Sequence, residues 1–368
     1  MGASSLHDVA VVGGGPAGLA AAAFAARAGL ATVLLDARSG PGDKACGEGV
    51  MPAGVRVLEE LGALAHVDAR ERHPFRAVRY FLPDGTTAEG RVPDGAGLGI
   101  RRTALAAALA RCASEAGAEL RWGWRFEAMS RWSDRVTLAT SAGEVAARVV
   151  VGADGSRSLV RRLAGLDRPT ARPERFGLRQ HFRLAPWSDR VEVHAVAGLQ
   201  AYVTPAGAER VGVAFLWDRS EVHGHVSIDA LLARFPALAE RLAGAPADSP
   251  PRGAGPLAQA VRGRAADRVA LVGDAAGYVD AITGEGISLA LGGARALAAA
   301  LPGALARGAG RRSFAAYERP AARAFRRYAI ACDLVLHLAR RPRRGAAVLR
   351  LLGRHPRLFD RLIALALG

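Results

Sequence analysis

The residues best placed to do chemistry in this 368-residue chain begin with three glycines and an aspartate near its start. Gly13, Gly15 and Gly18 follow a Gly-x-Gly-x-x-Gly spacing, with Pro16 and Ala17 ahead of the third, and Asp36 precedes Ala37 and Arg38. Gly13 permits a tight turn, Gly15 lets backbone approach a pyrophosphate, and Gly18 lets a helix close on a strand. A helix beginning there turns free N–H groups and a positive dipole end towards phosphate. Asp36 can accept hydrogen bonds from both hydroxyls of an adenosine ribose. Further on, Gly284-Glu285-Gly286, ahead of Ile287, opens a second helix whose N-terminus can stabilise negative charge. Cys46 lies in a glycine-rich Cys-Gly-Glu-Gly stretch, two residues after Lys44, the only lysine among 50 basic residues.

The elements that must position these residues show in the hydrophobic pattern. Residues 8–12 form an apolar run of strand length, residues 19–28 a small-residue helix, and residues 32–35 a second strand with Asp36 at its tip. Strand, glycine turn, helix, strand and acid together are similar to the Rossmann dinucleotide fingerprint. Arg102 opens an alanine-rich helix with Leu105 and Leu109. Alternation over 175–217, in Val191, Val193, Ala195 and residues 210–215, predicts antiparallel strands with one buried face. His181, His194, Tyr202 and Trp217 are candidates for its inner side. One helix is expected over 227–243 with Ser227 as N-cap, then a proline-rich return over 244–256. From Arg311 the chain reads as helical and basic, with Leu334, Leu336, Leu338, Leu349, Leu351, Leu352 and Leu358 among Arg340, Arg341, Arg343, Arg344 and Arg350. A helical cap over a substrate cavity or an amphipathic surface for membranes both fit that pattern. The expected fold is α/β: a Rossmann-like domain from 1–72, 98–168 and 257–310, an antiparallel-sheet substrate domain from 73–97 and 169–256, and a helical region over 311–368.

Residues 149–161 read Val-Val-Val-Gly-Ala-Asp-Gly-Ser-Arg-Ser-Leu-Val-Arg, with Asp154, Gly155, Ser158 and Arg161 in fixed places. This resembles the Asp-Gly motif of FAD-dependent monooxygenases of the para-hydroxybenzoate hydroxylase type. Residues 268–286, with Gly273 and Asp274, look like the third FAD motif of that superfamily. The resemblance implies FAD held by Asp154, Gly155, Arg161, Gly273, Asp274, Gly284, Gly286 and Ile287, with Arg102 towards the pyrophosphate. Lys44 would meet flavin phosphates or an anionic substrate. The Cys-Gly-Glu-Gly loop is similar to the geranylgeranyl reductase family, which shares the fold, and places Cys46 near flavin and substrate. Cys46, Gly284, Glu285 and Gly286 are the candidate catalytic residues.

The activity implied first is monooxygenation of an apolar or aromatic, natural-product-like small molecule with O₂, through a flavin C4a-hydroperoxide. Reduction of isolated C=C bonds is the alternative implied by the Cys46 loop. NADPH or NADH would serve as reductant, bound transiently, because no second glycine fingerprint precedes a helix. Trp122-Gly123-Trp124 superficially resembles a flavin-halogenase motif but lacks its proline and lies too early. A basic surface-binding protein with a vestigial FAD fold is the reading from a different class.

The formal charge of +16 invites a nucleic-acid reading, but the arginines are scattered rather than clustered on one motif, so no nucleic-acid partner is expected. A basic surface leaves peripheral membrane contact open. Cys46, Cys112 and Cys332 are odd in number and far apart, which argues against a disulfide framework or a CxxC metal site and for a reducing, cytoplasmic setting. Asp8 and the glycine turn interrupt the first apolar stretch, so no secretory signal is expected. No window of about 18 uncharged apolar residues reads as a membrane span.

Overall fold

Parallel strand pairing starts from the two apolar runs that flank the glycine turn. In the computed structural model, which describes residues 6–367 apart from positions 223 and 225, His7–Val12 lies between Thr32–Asp36 and the second half of Gly143–Gly152, parallel to both. Val269–Leu271 and Glu119–Trp122 extend this parallel core on either side. The hairpin Phe126–Arg131 and Val136–Thr140 joins antiparallel to the first half of Gly143–Gly152. The central strands read as continuous apolar runs because both faces of the sheet are covered. Val9 and Val11 point to the helices Pro16–Arg27, Arg102–Glu115 and Gly286–Ala306, whereas Ala10 and Val12 pack towards Val136, Leu138 and Val160. Gly286–Ala306 is, among the described residues, the one helix long and apolar enough to cross a bilayer. Here Leu291, Ala294, Leu297 and Leu301 are buried in the core beside Pro16–Arg27.

A second sheet of seven strands roofs the first, in the order 252–254, 175–183, 210–218, 199–205, 190–196, 77–81, 87–91. Its strands over 175–217 are antiparallel to one another as the alternation predicts, with one difference at the next neighbour: Arg190–Val196 runs parallel to Ala77–Phe81. A period-two apolar pattern fixes which face a residue occupies, not the direction of its neighbour. The pairing also fixes parity. His181 and Tyr202 lie on the inner face, while Trp217 packs with Phe215 and Leu231 beneath the outer helices. His194 pairs with outer-face Ala201 and stacks on Phe81 at 4.6 Å, so two of the four inner-face candidates point away from the cavity.

Those outer helices correct a second expectation. Residues 228–242 form two short helices, Ile228–Leu232 and Pro236–Leu242, not one. Ser227 does cap the first, accepting from the Ala230 N–H at 3.1 Å. Pro236 disfavours helical backbone at Phe235 and ends the run. The C-terminal region is helical as expected, in Ala315–Ala339, Pro342–Arg354 and Pro356–Leu367. Tyr328, Cys332 and Leu336 of the first back the cavity wall against Leu216 and Leu257. The last two cover Ala88 on the edge strand Thr87–Arg91 and leave the cavity alone.

Candidate active site

A cavity of about 630 Å³ lies between the C-terminal ends of the parallel strands and the inner face of the roof, the crevice where open α/β sheets bind ligands. The glycine turn forms its first wall. Gly13 has φ +111°, and a Cβ there would lie 2.4 Å from the Ala153 carbonyl oxygen. A Cβ on Gly18 would lie 1.9 Å from the Gly13 oxygen, so this glycine sets the helix–turn contact. Gly15 differs: the nearest atom to a Cβ there is Arg102 Nη2, at 3.6 Å. Its space is left for something other than protein. Pro16 opens the following helix, whose first turn carries no side-chain cap and no acid, and Pro16 and Ala17 face the cavity.

Asp36 sits at the tip of its strand, nearly buried. Gly14 N–H donates to its Oδ2 at 2.6 Å, and Arg38 donates through its backbone N–H at 2.8 Å and its guanidinium at 2.8 to 2.9 Å. Burial pushes the Asp36 carboxyl up, but Arg38 and Gly14 outweigh it and hold the group below its ordinary value. The carboxylate is therefore ionised and braced beside Ala37 and Arg38, at the end of the cavity where Trp124 and Arg125 also line the wall. Arg102 lines the same cavity. Its backbone N–H donates to Glu48 Oε1 at 2.9 Å, while its buried Nε has no partner among the described residues.

At the other end, Lys44 Nζ donates to Asp274 Oδ2 at 2.9 Å, and a Cβ on Gly155 would come 3.6 Å from the same ammonium. Lys44 thus bridges two of the implied FAD motifs. Gly273, at φ +61°, brings this turn against Ala17 of the first helix. Cys46 faces the cavity, its Sγ accepting from the Glu48 N–H at 3.3 Å. Gly284, Gly286 and Ile287 line the wall at the start of a helix without a side-chain cap. Glu285 does not line it. Its carboxyl lies by Thr283 and Cys332, with Oε2 buried and unpartnered, and burial raises its pKa to about 7.

The Asp-Gly motif serves the protein more than the cavity. Asp154 accepts from Ser158 Oγ and from the Leu159 and Val160 N–H groups at 2.7 and 3.1 Å, which caps the helix Leu159–Leu163. Arg161, 3% exposed, donates to Asp167 at 2.7 Å, to the Ser156 oxygen at 2.8 Å and to Gln259 at 3.2 Å. It holds the Gly155 loop in shape and is not on the cavity wall. Asp154 and Gly155 remain on it.

A buried ionic cluster was not anticipated. Glu48 is 1% exposed and has φ +59°, a conformation costing a non-glycine residue about 1 kcal/mol or more. Its Oε1 accepts from Arg101 Nη1 at 3.0 Å and its Oε2 lies 2.7 Å from His181 Nε2. His181 Nδ1 meets Ser249 Oγ at 2.8 Å and Arg179 Nη1 at 3.0 Å, and Arg179 Nη2 donates to Asp43 at 2.6 Å and to the Lys44 oxygen at 2.9 Å. The loop carrying Lys44 and Cys46 is thereby tied to the roof. The sequence signal that was available is the acid between two glycines at 47–49. Trp124 was also missed as a wall residue; it follows a parallel strand adjacent to that of Asp36 and so emerges at the same edge.

A strand–glycine turn–helix cradle, a braced ribose-side acid, an unpartnered arginine Nε and a second uncapped helix end define a dinucleotide-dependent flavoprotein fold of two sheets. The residues fit FAD: the Gly15 cradle and Arg102 would hold the pyrophosphate, and the 273–287 wall would face the flavin. Residues 7–230 match the family model described as FAD binding domain, and the chain belongs to that family. It is similar to the menaquinone reductase of Mycolicibacterium smegmatis, at 32% identity over 310 residues covering 77% of this chain and 73% of the relative. It is also similar to digeranylgeranylglycerophospholipid reductase 1 of Methanopyrus kandleri, at 32% identity with 77% of each covered. Among solved structures, a flavoprotein/dehydrogenase from Cytophaga hutchinsonii superposes with a TM-score of 0.85 at 19% identity, over 98% of this chain and 92% of that one. The protein is an FAD-dependent oxidoreductase of the superfamily that hydroxylases share with geranylgeranyl reductases.

Proposed function

We propose that this flavoenzyme saturates isolated C=C bonds of a polyprenyl-type substrate. The observation that carries the reading is Cys46 on the cavity wall, in a Cys-Gly-Glu-Gly loop fixed to the roof through Glu48. The two relatives named reductases support it. The monooxygenase expectation leaned on the Asp154–Arg161 motif, which here caps a helix and ties loops together. Every chemistry on this fold needs that service, so the motif does not favour oxygen insertion over reduction.

FAD, when bound, supplies hydride transfer, with NADPH or NADH proposed as the source of electrons. The chain's own residues do the rest. Gly15, Ala17 and Arg102 would hold the nucleotide, and the first turn of Gly286–Ala306 would favour negative charge at the flavin end. Val191, Tyr202, Leu216 and Leu257 give the substrate space an apolar wall that excludes water. Saturating an alkene places a hydride on one carbon and a proton on the other, and the Cys46 thiol is the group we assign to deliver that proton.

The test is anaerobic incubation of the reduced, FAD-loaded protein with a detergent-dispersed polyprenyl compound, followed by mass spectrometry. A gain of two hydrogens per double bond is expected, and Cys46→Ser should cut that rate at least about tenfold while FAD stays bound. An oxygen-dependent gain of one oxygen atom would replace this reading with monooxygenation. Full reduction by Cys46→Ser would remove the thiol from the proton path.

A further inference from the structure

The last two helices present a surface that neither the flavin site nor the core explains. Nine large apolar side chains are exposed among the described residues, and Ile330, Leu334, Leu351, Leu358, Leu362 and Leu365 are six of them. Such clustering on one stretch of a folded chain marks a contact surface. The helical period sorts each helix cleanly. Val348, Leu349, Leu352, Phe359 and Ile363 turn inward onto Tyr80 and Ala88. Leu351, Leu358, Leu362 and Leu365 turn outward, interleaved with exposed arginines.

The charge on that outward face has one sign. Arg343, Arg344, Arg354, Arg357 and Arg361 are exposed, and none forms an ion pair among the described residues. The single acid within these two helices, Asp360, is held by the Arg91 N–H at 2.7 Å. Alternating leucine and guanidinium on a surface helix suits the boundary between acyl chains and anionic headgroups. Leucine enters the apolar layer while arginine pairs with phosphate. A nucleic acid would use the arginines but leave the leucines wet, and a second copy of the chain would bring like charge against like.

We propose that Pro342–Arg354 and Pro356–Leu367 dock this protein on an anionic lipid bilayer. The proposal stands on that surface and does not depend on which reaction the flavin site performs. Helix Ala315–Ala339, which backs the cavity through Tyr328 and Cys332, carries Ile330 and Leu334 outward, so the docking region is continuous in the chain with the cavity wall.

The test uses the full-length, FAD-loaded protein sedimented with unilamellar vesicles. Vesicles of phosphatidylcholine with phosphatidylglycerol should bind at least about tenfold better than phosphatidylcholine alone, with an advantage that falls as salt rises. A Leu351→Ser, Leu358→Ser, Leu362→Ser variant should lose at least about tenfold in vesicle binding while keeping its FAD and its melting temperature. A variant with Arg343, Arg354, Arg357 and Arg361 changed to Gln should lose the preference for phosphatidylglycerol. Absence of binding to anionic vesicles would overturn the proposal, as would unchanged binding by the leucine variant. So would a leucine-dependent dimer in solution that ignores vesicles, or binding to duplex DNA as tight as to vesicles. Alkene reduction in detergent, measured separately, bears on the flavin chemistry alone, so the two conclusions fail independently.

Discussion

Gly15 has the sharpest consequence at the scale of single residues, because a Cβ built there would approach no residue beyond its chain neighbours more closely than Arg102 Nη2, at 3.6 Å. Gly15→Val should therefore leave the chain folded but colourless, its side chain standing where the pyrophosphate must lie. Absorbance of the purified protein checks this, and a yellow variant would place the nucleotide elsewhere. Gly18 gives the contrast: a Cβ 1.9 Å from the Gly13 oxygen collides with backbone, so Gly18→Ala should lose fold and flavin together. Glu285 makes a different kind of prediction. Its pKa rises from 4.5 to about 7 through burial, so the folded chain binds a proton that the unfolded chain releases at lower pH. That contribution to stability is complete below about pH 4.5 and is lost as pH rises through about 7, on the order of 3 kcal/mol at most. Glu285→Gln, which stays neutral, should match the wild type near the acid end and exceed it in urea midpoint above neutrality. Equal midpoints throughout would mean the carboxyl finds water or a cation.

Among the elements, the short helix Leu159–Leu163 shows how a correctly read motif can carry a different duty. Asp154→Ala removes acceptors for the Leu159 and Val160 N–H groups, while Ser158, the N-cap, keeps the Arg161 N–H, so the loss should cost about 1 kcal/mol. The expected outcome is a lower denaturant midpoint together with faster FAD release from the loosened Gly155 loop. Faster release at an unchanged midpoint would make Asp154 a ligand contact first. The spacing Asp-Gly-x-x-Ser-x-x-Arg was legible because it is local, yet helix cap and cofactor contact demand the same spacing. The glycine cradle was legible in full, since Gly13, Gly15 and Gly18 act through steric facts that belong to single residues. Pro236 was visible and still overridden by the apolar pattern around it, although proline disfavours the helical conformation before it. The parallel pairing of Arg190–Val196 with Ala77–Phe81 was not legible, because alternation is the same in both directions. Without that pairing, the parity of His194 and Trp217 had no anchor.

The whole molecule is held across its two sheets by Glu48, His181, Arg101, Arg179 and Asp43, with bonded partners up to 136 positions apart whose meeting no local pattern announces. The cluster balances when His181 is neutral: two carboxylates face two guanidinium groups. The ring then donates from Nε2 to Glu48, and its Nδ1 accepts from Ser249 or Arg179. Burial lowers the His181 pKa, and Arg101 and Arg179 oppose a third positive charge, against the pull of Glu48. Glu48 is lowered as well: burial raises it, but the His181 hydrogen bond and the Arg101 charge prevail. Both shifts have the same sign. The stability they contribute is present above the ordinary values, 6.5 for the imidazole and 4.5 for the carboxyl, and is lost as pH falls through the folded ones. Acid should therefore open the molecule between the roof and the loop that carries Lys44 and Cys46, releasing FAD as it does so. His181→Gln keeps an N–H for Glu48 but cannot titrate, and should retain FAD to lower pH than the wild type. His181→Phe leaves Glu48 with Arg101 and the Arg102 N–H but takes away the partner of Oε2, and should cost about 1 to 3 kcal/mol at neutral pH. Flavin fluorescence during an acid titration of the three proteins follows the release directly. Coincident curves would mean that the cluster merely fills the interface, and distinct midpoints in the order Phe, wild type, Gln would identify it as what holds the Cys46 loop against the roof.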